Sequence, residues 1–290
     1  MIAYLMGTLL LIAVVVLHWL LHRSLTPVRE PVGRSLASLS LVGQSVRFPG
    51  RRGKLLRGWY LPGNPGQPVA VLAHGWSSNR LALVPLARVL NQAGLAVLLF
   101  DMRNHGESDG DTFSSLPRFA EDIHAACLHL STLPDARDRP RLLFGHSVGG
   151  AAALLAASQR DDILAVVSIS AFAHPEWVMR RWLHARRLPF WPVGWYILRY
   201  VQWVIGYCFE QIAPLNVIAK VAAPVMLVHG TEDAVVPLAD AKALYQARGN
   251  TPVRLTPLPG GHDLTHSLNA ARQALFDFID QSGRAANSSR

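Results

Sequence analysis

Residues 142–156 read LLFGHSVGGAAALLA, an apolar stretch that meets a serine among glycines and continues into alanine and leucine. A serine hydroxyl becomes a useful nucleophile when a base takes its proton and an acid orients that base. Gly145-His146-Ser147-Val148-Gly149 falls where a buried strand ends and a small-residue helix begins. A turn that sharp strains the serine backbone and presses strand against helix, so its neighbours must be small. It also presents Ser147 at a helix N-terminus, where backbone N–H groups can stabilise negative charge. The alternative is a Gly-rich turn with a passive serine. The strand before it and the helix after it favour the nucleophile.

Acid and base should follow in the chain order Ser, Asp or Glu, His. VMLVHGTEDAVVP ends a strand at Gly230 and places Asp233 in the loop beyond, with Glu232 as a rival acid. RLTPLPGGHDLTH ends the next strand and places His262 in a loop, with His266 as a rival base. The glycines before His262 suit a base that must reach over the sheet edge, whereas His266 should lie inside a helix. Donors for the oxyanion are the N–H of Val148, directly after the nucleophile, and the N–H of Trp76 in LAHGWSSNR. His74 as a metal ligand is the competing reading of that segment, but no HExxH or other paired His and acid spacing supports it. The chemistry calls for no cofactor.

The elements that must position these residues are legible as apolar runs. Stretches 69–75, 95–101, 141–147, 164–170 and 225–230 read as buried strands of a parallel sheet. Between them, 80–94 has apolar residues at helical spacing, and 116–133 is a helix pattern that follows Ser114 and Ser115 as candidate caps. Residues 44–63 predict a hairpin ahead of the alternation. The fold class is α/β, a doubly wound and mostly parallel sheet with a helical cap insertion and an N-terminal transmembrane helix. The expected divisions are an anchor at 1–22, a basic linker at 23–43, a catalytic domain at 44–282 with a cap at about 172–213, and a disordered tail at 283–290.

HGWSSN, DMRNHGESDG, GHSVGG, HGTEDAVVP and GGHD occur in that order across roughly residues 44 to 280. In these motifs the chain resembles the α/β-hydrolase superfamily. It looks most like membrane-anchored serine hydrolases related to serine aminopeptidase and monoacylglycerol-lipase-like enzymes. Carried over position by position, the resemblance implies Ser147 as nucleophile, Asp233 as acid, His262 as base, and Trp76 and Val148 as oxyanion donors. Asn104 stands where many relatives have glycine. Superfamily members that use an aspartate nucleophile, the epoxide hydrolases and dehalogenases, are disfavoured by Ser147.

Residues 1–21 contain no Asp, Glu, Lys or Arg, and as a helix they would span roughly 30 Å, enough for a bilayer. A signal peptide should show a basic n-region and a small-x-small cleavage site, neither of which is clear here. Arg23, Arg29 and Arg34 follow the span, which places the domain on the cytoplasmic side. The chain has 290 residues and a net charge of +9, and from Arg23 to Arg57 eight basic residues face the single acid Glu30. That pattern suits an anionic lipid surface, and no recognition motif supports nucleic acid. Cys127 and Cys208 have no metal or redox spacing. The cap holds five of the eight tryptophans. On a helical wheel Val178, Met179, Trp182, Leu183 and Ala185 share one face, opposite Arg180, Arg181, His184 and Arg187. The expected substrate is a small-molecule or lipid ester, or a thioester, with an apolar acyl part held under an aromatic cap. The alternatives are an amide or N-terminal peptide, and a non-catalytic binding scaffold.

Overall fold

The computed structural model describes residues 1–263 and 271–288. The described residues form one sheet of eight strands: β1 (Gln44–Pro49), β2 (Leu55–Leu61), β3 (Val69–Ala73), β4 (Ala96–Phe100), β5 (Arg141–His146), β6 (Ile163–Ile169), β7 (Val225–Gly230) and β8 (Val253–Leu258). Their order is β1-β2-β4-β3-β5-β6-β7-β8. The predicted hairpin is β1 and β2, with Gln44 opposite Tyr60, and β2 runs antiparallel to β4. Every pairing from β4 to β8 is parallel. A parallel sheet needs both faces covered, which is why VAVLA in β3 and AVLLF in β4 are buried at every position.

The helices are α1 (Ile2–Ser24), α2 (Val84–Gln92), α3 (Leu116–Leu130), α4 (Val148–Ala157), α5 (Pro175–Ala185), α6 (Trp195–Ile205), α7 (Phe209–Ile212), α8 (Pro214–Val217), α9 (Leu238–Gln246) and α10 (Arg272–Ser288). They sort onto the two faces by the alternation of the strands. Val69, Val71 and Ala73 of β3 join the apolar cluster under α3, α4 and α9, while Ala70 and Leu72 join the one under α2 and α10. The Ser115 hydroxyl accepts the Arg118 N–H and starts α3 as expected. The helix expected from residue 80 begins instead as a tight turn over Arg80–Leu83, and α2 follows from Val84 with Pro85 in its first turn. α10 continues to Ser288, through much of the segment expected to be a disordered tail, since Ala285 and Ala286 are good helix formers.

The segment expected as a basic linker is strapped to the domain. Leu25 O accepts the Ser114 N–H, the Arg29 guanidinium donates to the carbonyls of Gly106 and Ser108, and Val32 is buried. Part of its positive charge is therefore engaged by carbonyls of the domain itself. α1 is long and apolar enough to cross a membrane, a property that a signal sequence shares. Its C-terminal half lies on α6, where the Tyr196 hydroxyl donates to His18 Nε2 at 2.7 Å and the Tyr200 hydroxyl donates to His18 O at 3.2 Å.

The insertion between β6 and β7 is helical, as expected, but α5 does not divide into the predicted faces. Arg181 turns inward and meets the buried Asp240 of α9 with two bonds of 2.9 and 3.0 Å, while Asp240 also accepts the Ala173 N–H. A buried carboxylate beneath the helix attracts the arginine that periodicity had sent to solvent. Trp182, on the apolar face of the wheel, is exposed with the Arg186 guanidinium 3.9 Å from its ring centre.

Candidate active site

β5 ends at His146 and α4 begins at Val148, which leaves Ser147 alone in the turn at φ 55°, ψ −121°. Such a backbone costs an L-residue about 1–3 kcal/mol and persists only where the surroundings enforce it. Here the Ser147 N–H donates to Ile169 O at 2.8 Å, and its carbonyl accepts the Ala151 N–H at 3.0 Å. Crossing is tight: a Cβ on Gly149 would stand 2.3 Å from Ala73 O. The loop after β3 lies against the same turn, since a Cβ on Gly75 would sit 3.3 Å from His146 Nδ1 and 3.4 Å from Ser147 Cβ. Trp76 follows, its ring stacked on Phe119. Val148 is the first residue of α4, where the backbone N–H has no partner in its own helix.

Asp233 and His262 meet across the ends of β7 and β8. Asp233 Oδ1 accepts the N–H groups of Val235 at 2.9 Å and Val236 at 2.8 Å, which turns Oδ2 towards His262 Nδ1 at 2.8 Å. The Asp233 side chain is fully buried, whereas His262 is partly open. A carboxylate at Nδ1 fixes that nitrogen as the donor and leaves Nε2 as the basic nitrogen. His229 also lies near Oδ2, at 3.5 Å, but its Nε2 donates to Val236 O at 2.7 Å. Glu232, the rival acid, is exposed. The rival base His266 lies outside the described residues.

Ser147 and His262 line one cavity of about 430 Å³, together with Gly75, Trp76 and His146. Its apolar wall is Ala82 and Leu83 from the Arg80–Leu83 turn, Pro85 and Leu86 from the start of α2, and Ile169 and Val235. Among the described residues no side chain between 172 and 213 contributes. The cap was expected to supply this wall and does not, because its helices pack on α9 and α1.

Residues 65–214 match the family described as serine aminopeptidase, S33. The chain is an α/β hydrolase of that family. It is 28% identical over 248 residues to the uncharacterised protein YfhR of Escherichia coli, covering 81% of this chain and 80% of that one. An uncharacterised Mycobacterium tuberculosis protein, Rv2307c, is 30% identical over 234 residues, which is 79% of this chain and 75% of its own. Among solved structures, a Pyrococcus furiosus esterase superposes with a TM-score of 0.72 at 20% identity, covering 89% of this chain and 97% of that one. Est1E from Butyrivibrio proteoclasticus, solved with ferulic acid, gives 0.67 at 25% identity over 82% and 98%.

Several residues that build this hydrolase site escaped the motif reading. His146 donates from Nε2 to the carbonyl of His262 at 2.9 Å, with the two rings 5.0 Å apart. His74 donates from Nδ1 to Gly75 O and accepts the Met102 N–H at Nε2. His105 donates from Nδ1 to Arg103 O and accepts the Ser77 N–H at Nε2, beside Trp76. Each ring thus needs one proton and one lone pair, and burial pushes the pKa down to about 4 for His74 and about 3 for His105. Both nitrogens of His74 are committed to the backbone, which accounts for it without a metal. In DMRNHGESDG the buried Asp101 carboxylate accepts the N–H groups of Arg80 and Glu107 and pairs with the Arg80 guanidinium. Asn104 sits at φ 67°, with its side chain accepting the Asp111 N–H and donating to Ser114 Oγ. A left-handed backbone is where glycine and asparagine interchange most readily, which explains the departure from glycine.

Proposed function

We propose that this hydrolase cleaves carboxylic esters or thioesters with an apolar acyl part through an acyl-enzyme on Ser147. The observation that carries the reading is the Asp233–His262 pair, 2.8 Å between oxygen and Nδ1, opening onto the cavity that also holds Ser147 in its strained turn. In this mechanism Ser147 Oγ attacks the carbonyl carbon as His262 Nε2 takes its proton. The carbonyl oxygen gains the electron pair and lies at the N–H groups of Trp76 and Val148. Collapse expels the alcohol or thiol, which leaves with the proton from His262. Water then attacks the acyl-enzyme, again losing its proton to His262, and the acid departs as Ser147 recovers the proton.

An apolar acyl part is supported by the aliphatic wall at Ala82, Leu83 and Leu86. The ester linkage is supported by the neighbours, since the Pyrococcus furiosus protein is an esterase and Est1E was solved with ferulic acid. The family description keeps an amide or N-terminal peptide as the second reading. We also take residues 1–22 as a membrane anchor and 44–282 as the catalytic domain, held on the cytoplasmic side by Arg23, Arg29 and Arg34.

The test is labelling of the full-length protein with a fluorophosphonate, followed by turnover of esters of increasing chain length beside aminoacyl amides. Ser147→Ala should abolish labelling and lower turnover by roughly 10⁴-fold or more, with the fold intact. His262→Ala should lower it by a similar order while His266→Ala costs little. A folded Ser147→Ala protein with undiminished turnover would remove the serine from the mechanism. Faster cleavage of aminoacyl amides than of esters would select the peptidase.

A further inference from the structure

α6 presents two different sides. Ile197, Leu198 and Val201 are buried against the domain. On the other side Trp195 and Trp203 stand exposed, eight residues apart with Arg199 midway, so all three follow one stripe of the helix. Trp191 extends the stripe, its ring 5.4 Å from that of Trp195, and is 69% exposed; Trp203 is 76% exposed. Indole rings in water at that level form an apolar patch that a water-soluble surface rarely carries without a partner.

The position of the patch identifies the partner. Tyr196 and Tyr200, on the edge of α6 beside the stripe, hold α1 at His18. His18 Nδ1 donates to Val14 O at 2.8 Å inside α1, which leaves Nε2 to accept the Tyr196 hydroxyl and makes the contact fully satisfied. His18 lies six residues before the end of α1 at Ser24, which is about 9 Å along a helix axis. A bilayer core of about 30 Å takes up some 20 apolar residues, so a span filled by residues 1–21 puts His18 near the hydrocarbon boundary. That is the level at which tryptophan and tyrosine concentrate, and Arg199 can lay its stem along the patch with its charge towards phosphate.

We infer that the Trp191–Trp195–Trp203 stripe of α6 is an interfacial docking surface, seated in the headgroup region of the same bilayer that α1 crosses. The domain would then be fixed at two points, one spanning and one lying on the membrane, instead of swinging on a tether. Arg180 and Arg181, engaged by Glu176 and Asp240, contribute little. The inference rests on the proposed anchor at residues 1–22 and not on the proposed esterase chemistry.

Depth-dependent fluorescence quenching tests it. The full chain would be reconstituted into phosphatidylcholine–phosphatidylglycerol vesicles with acyl chains brominated near the headgroup, and iodide would be added from the water. The wild type should be quenched by the bromolipid, and Trp19→Phe should remove only the part that reports on α1. A Trp191→Phe, Trp195→Phe, Trp203→Phe variant, which keeps the apolar surface, should lose most of the remainder. Quenching that vanishes with Trp19→Phe alone would mean a tether without docking and would overturn the inference. Protection from iodide without bromolipid quenching, varying with the protein-to-lipid ratio, would assign the stripe to a second copy of the chain and would also overturn it.

Discussion

A base is useful only if it stays where the nucleophile needs it, and His262, the proposed base, sits in a loop. One of its restraints is Asp233; the other is His146, whose Nε2 donates to the His262 carbonyl from the rigid end of β5. Burial holds the His146 pKa below the usual histidine range, so the ring stays neutral and keeps the single N–H that this bond requires. His146 thus ties the His262 loop to the residue before Ser147, and in the proposed mechanism it is a positioning residue. His146→Ala should lower kcat by about 10- to 100-fold, the usual loss when an orienting partner is removed, with little change in KM. His146→Gln, whose amide can reach the same carbonyl, should recover most of the loss. Steady-state kinetics on one soluble ester decides, and equal losses in both variants would reduce His146 to packing. Asn104 makes a second prediction at this scale. Asn104→Ala places a plain side chain at φ 67° and should cost about 1–2 kcal/mol from the backbone alone. Asn104→Gly should regain that part and not the two side-chain bonds, as thermal melts of the three proteins would show.

Among the elements, the segment from the Arg80 turn into α2 lines the cavity and the cap does not. Ala82 lies at the open rim of the cavity, while Leu83 and Leu86 are buried within its wall. Ala82→Trp should therefore lower kcat/KM for long-chain esters while an acetyl ester keeps its rate, whereas Trp182→Ala in the cap should leave the chain-length profile unchanged. A shift in the profile from the cap variant alone would return the acyl site to the insertion. The reason this was hidden in the sequence is physical. β3, β4, β5 and β7 announce themselves because a buried parallel strand must be apolar throughout, and Ser147 because strand and helix touch at Gly149. Asp233 and His262 could be placed because loops at the ends of neighbouring parallel strands must lie together. Nothing local marks Ala82 as a cavity residue, and the apolar residues of the cap look the same whether they cover a pocket or pack on α1. Arg181 shows the same limit: its inward turn depends on Asp240, far along the chain, and helical periodicity contains no information about that carboxylate.

The molecule as a whole depends on neutral histidines at its centre. The His74 and His105 rings are fully buried 5.0 Å apart, between the loop that bears Trp76 and the loop after β4, with Phe119 against both. Burial drives both pKa values down, and His146 and Arg80 beside His74, and His74 and Arg29 beside His105, add to it. In the unfolded chain both would take up protons near pH 6.5. The folded state resists until about pH 4 for His74 and about 3 for His105. Protons therefore bind preferentially to the unfolded chain in that window. Stability is complete above the unfolded pKa and is lost as pH falls, by about 1.4 kcal/mol per pH unit for each ring. Asp122 acts in the opposite sense, since burial beside Arg103 raises its carboxyl to about 6 and the folded state takes up its proton first. His124, His129 and His146 are held down in the same way, and Asp101 is held up like Asp122, so more buried histidines than buried carboxylates oppose each other and stability should decline below pH 6. Denaturant melts from pH 8 to pH 4.5 should show this decline. His105→Gln, whose amide can accept the Ser77 N–H without titrating, should be less stable at pH 8 but should lose stability less steeply on acidification. An unaltered slope in that variant would show that other groups govern the acid response. If it flattens as expected, the bracket that holds the Gly75–Trp76 loop against the Ser147 turn is also the part of the fold most sensitive to acid, and activity should fail with the fold on acidification.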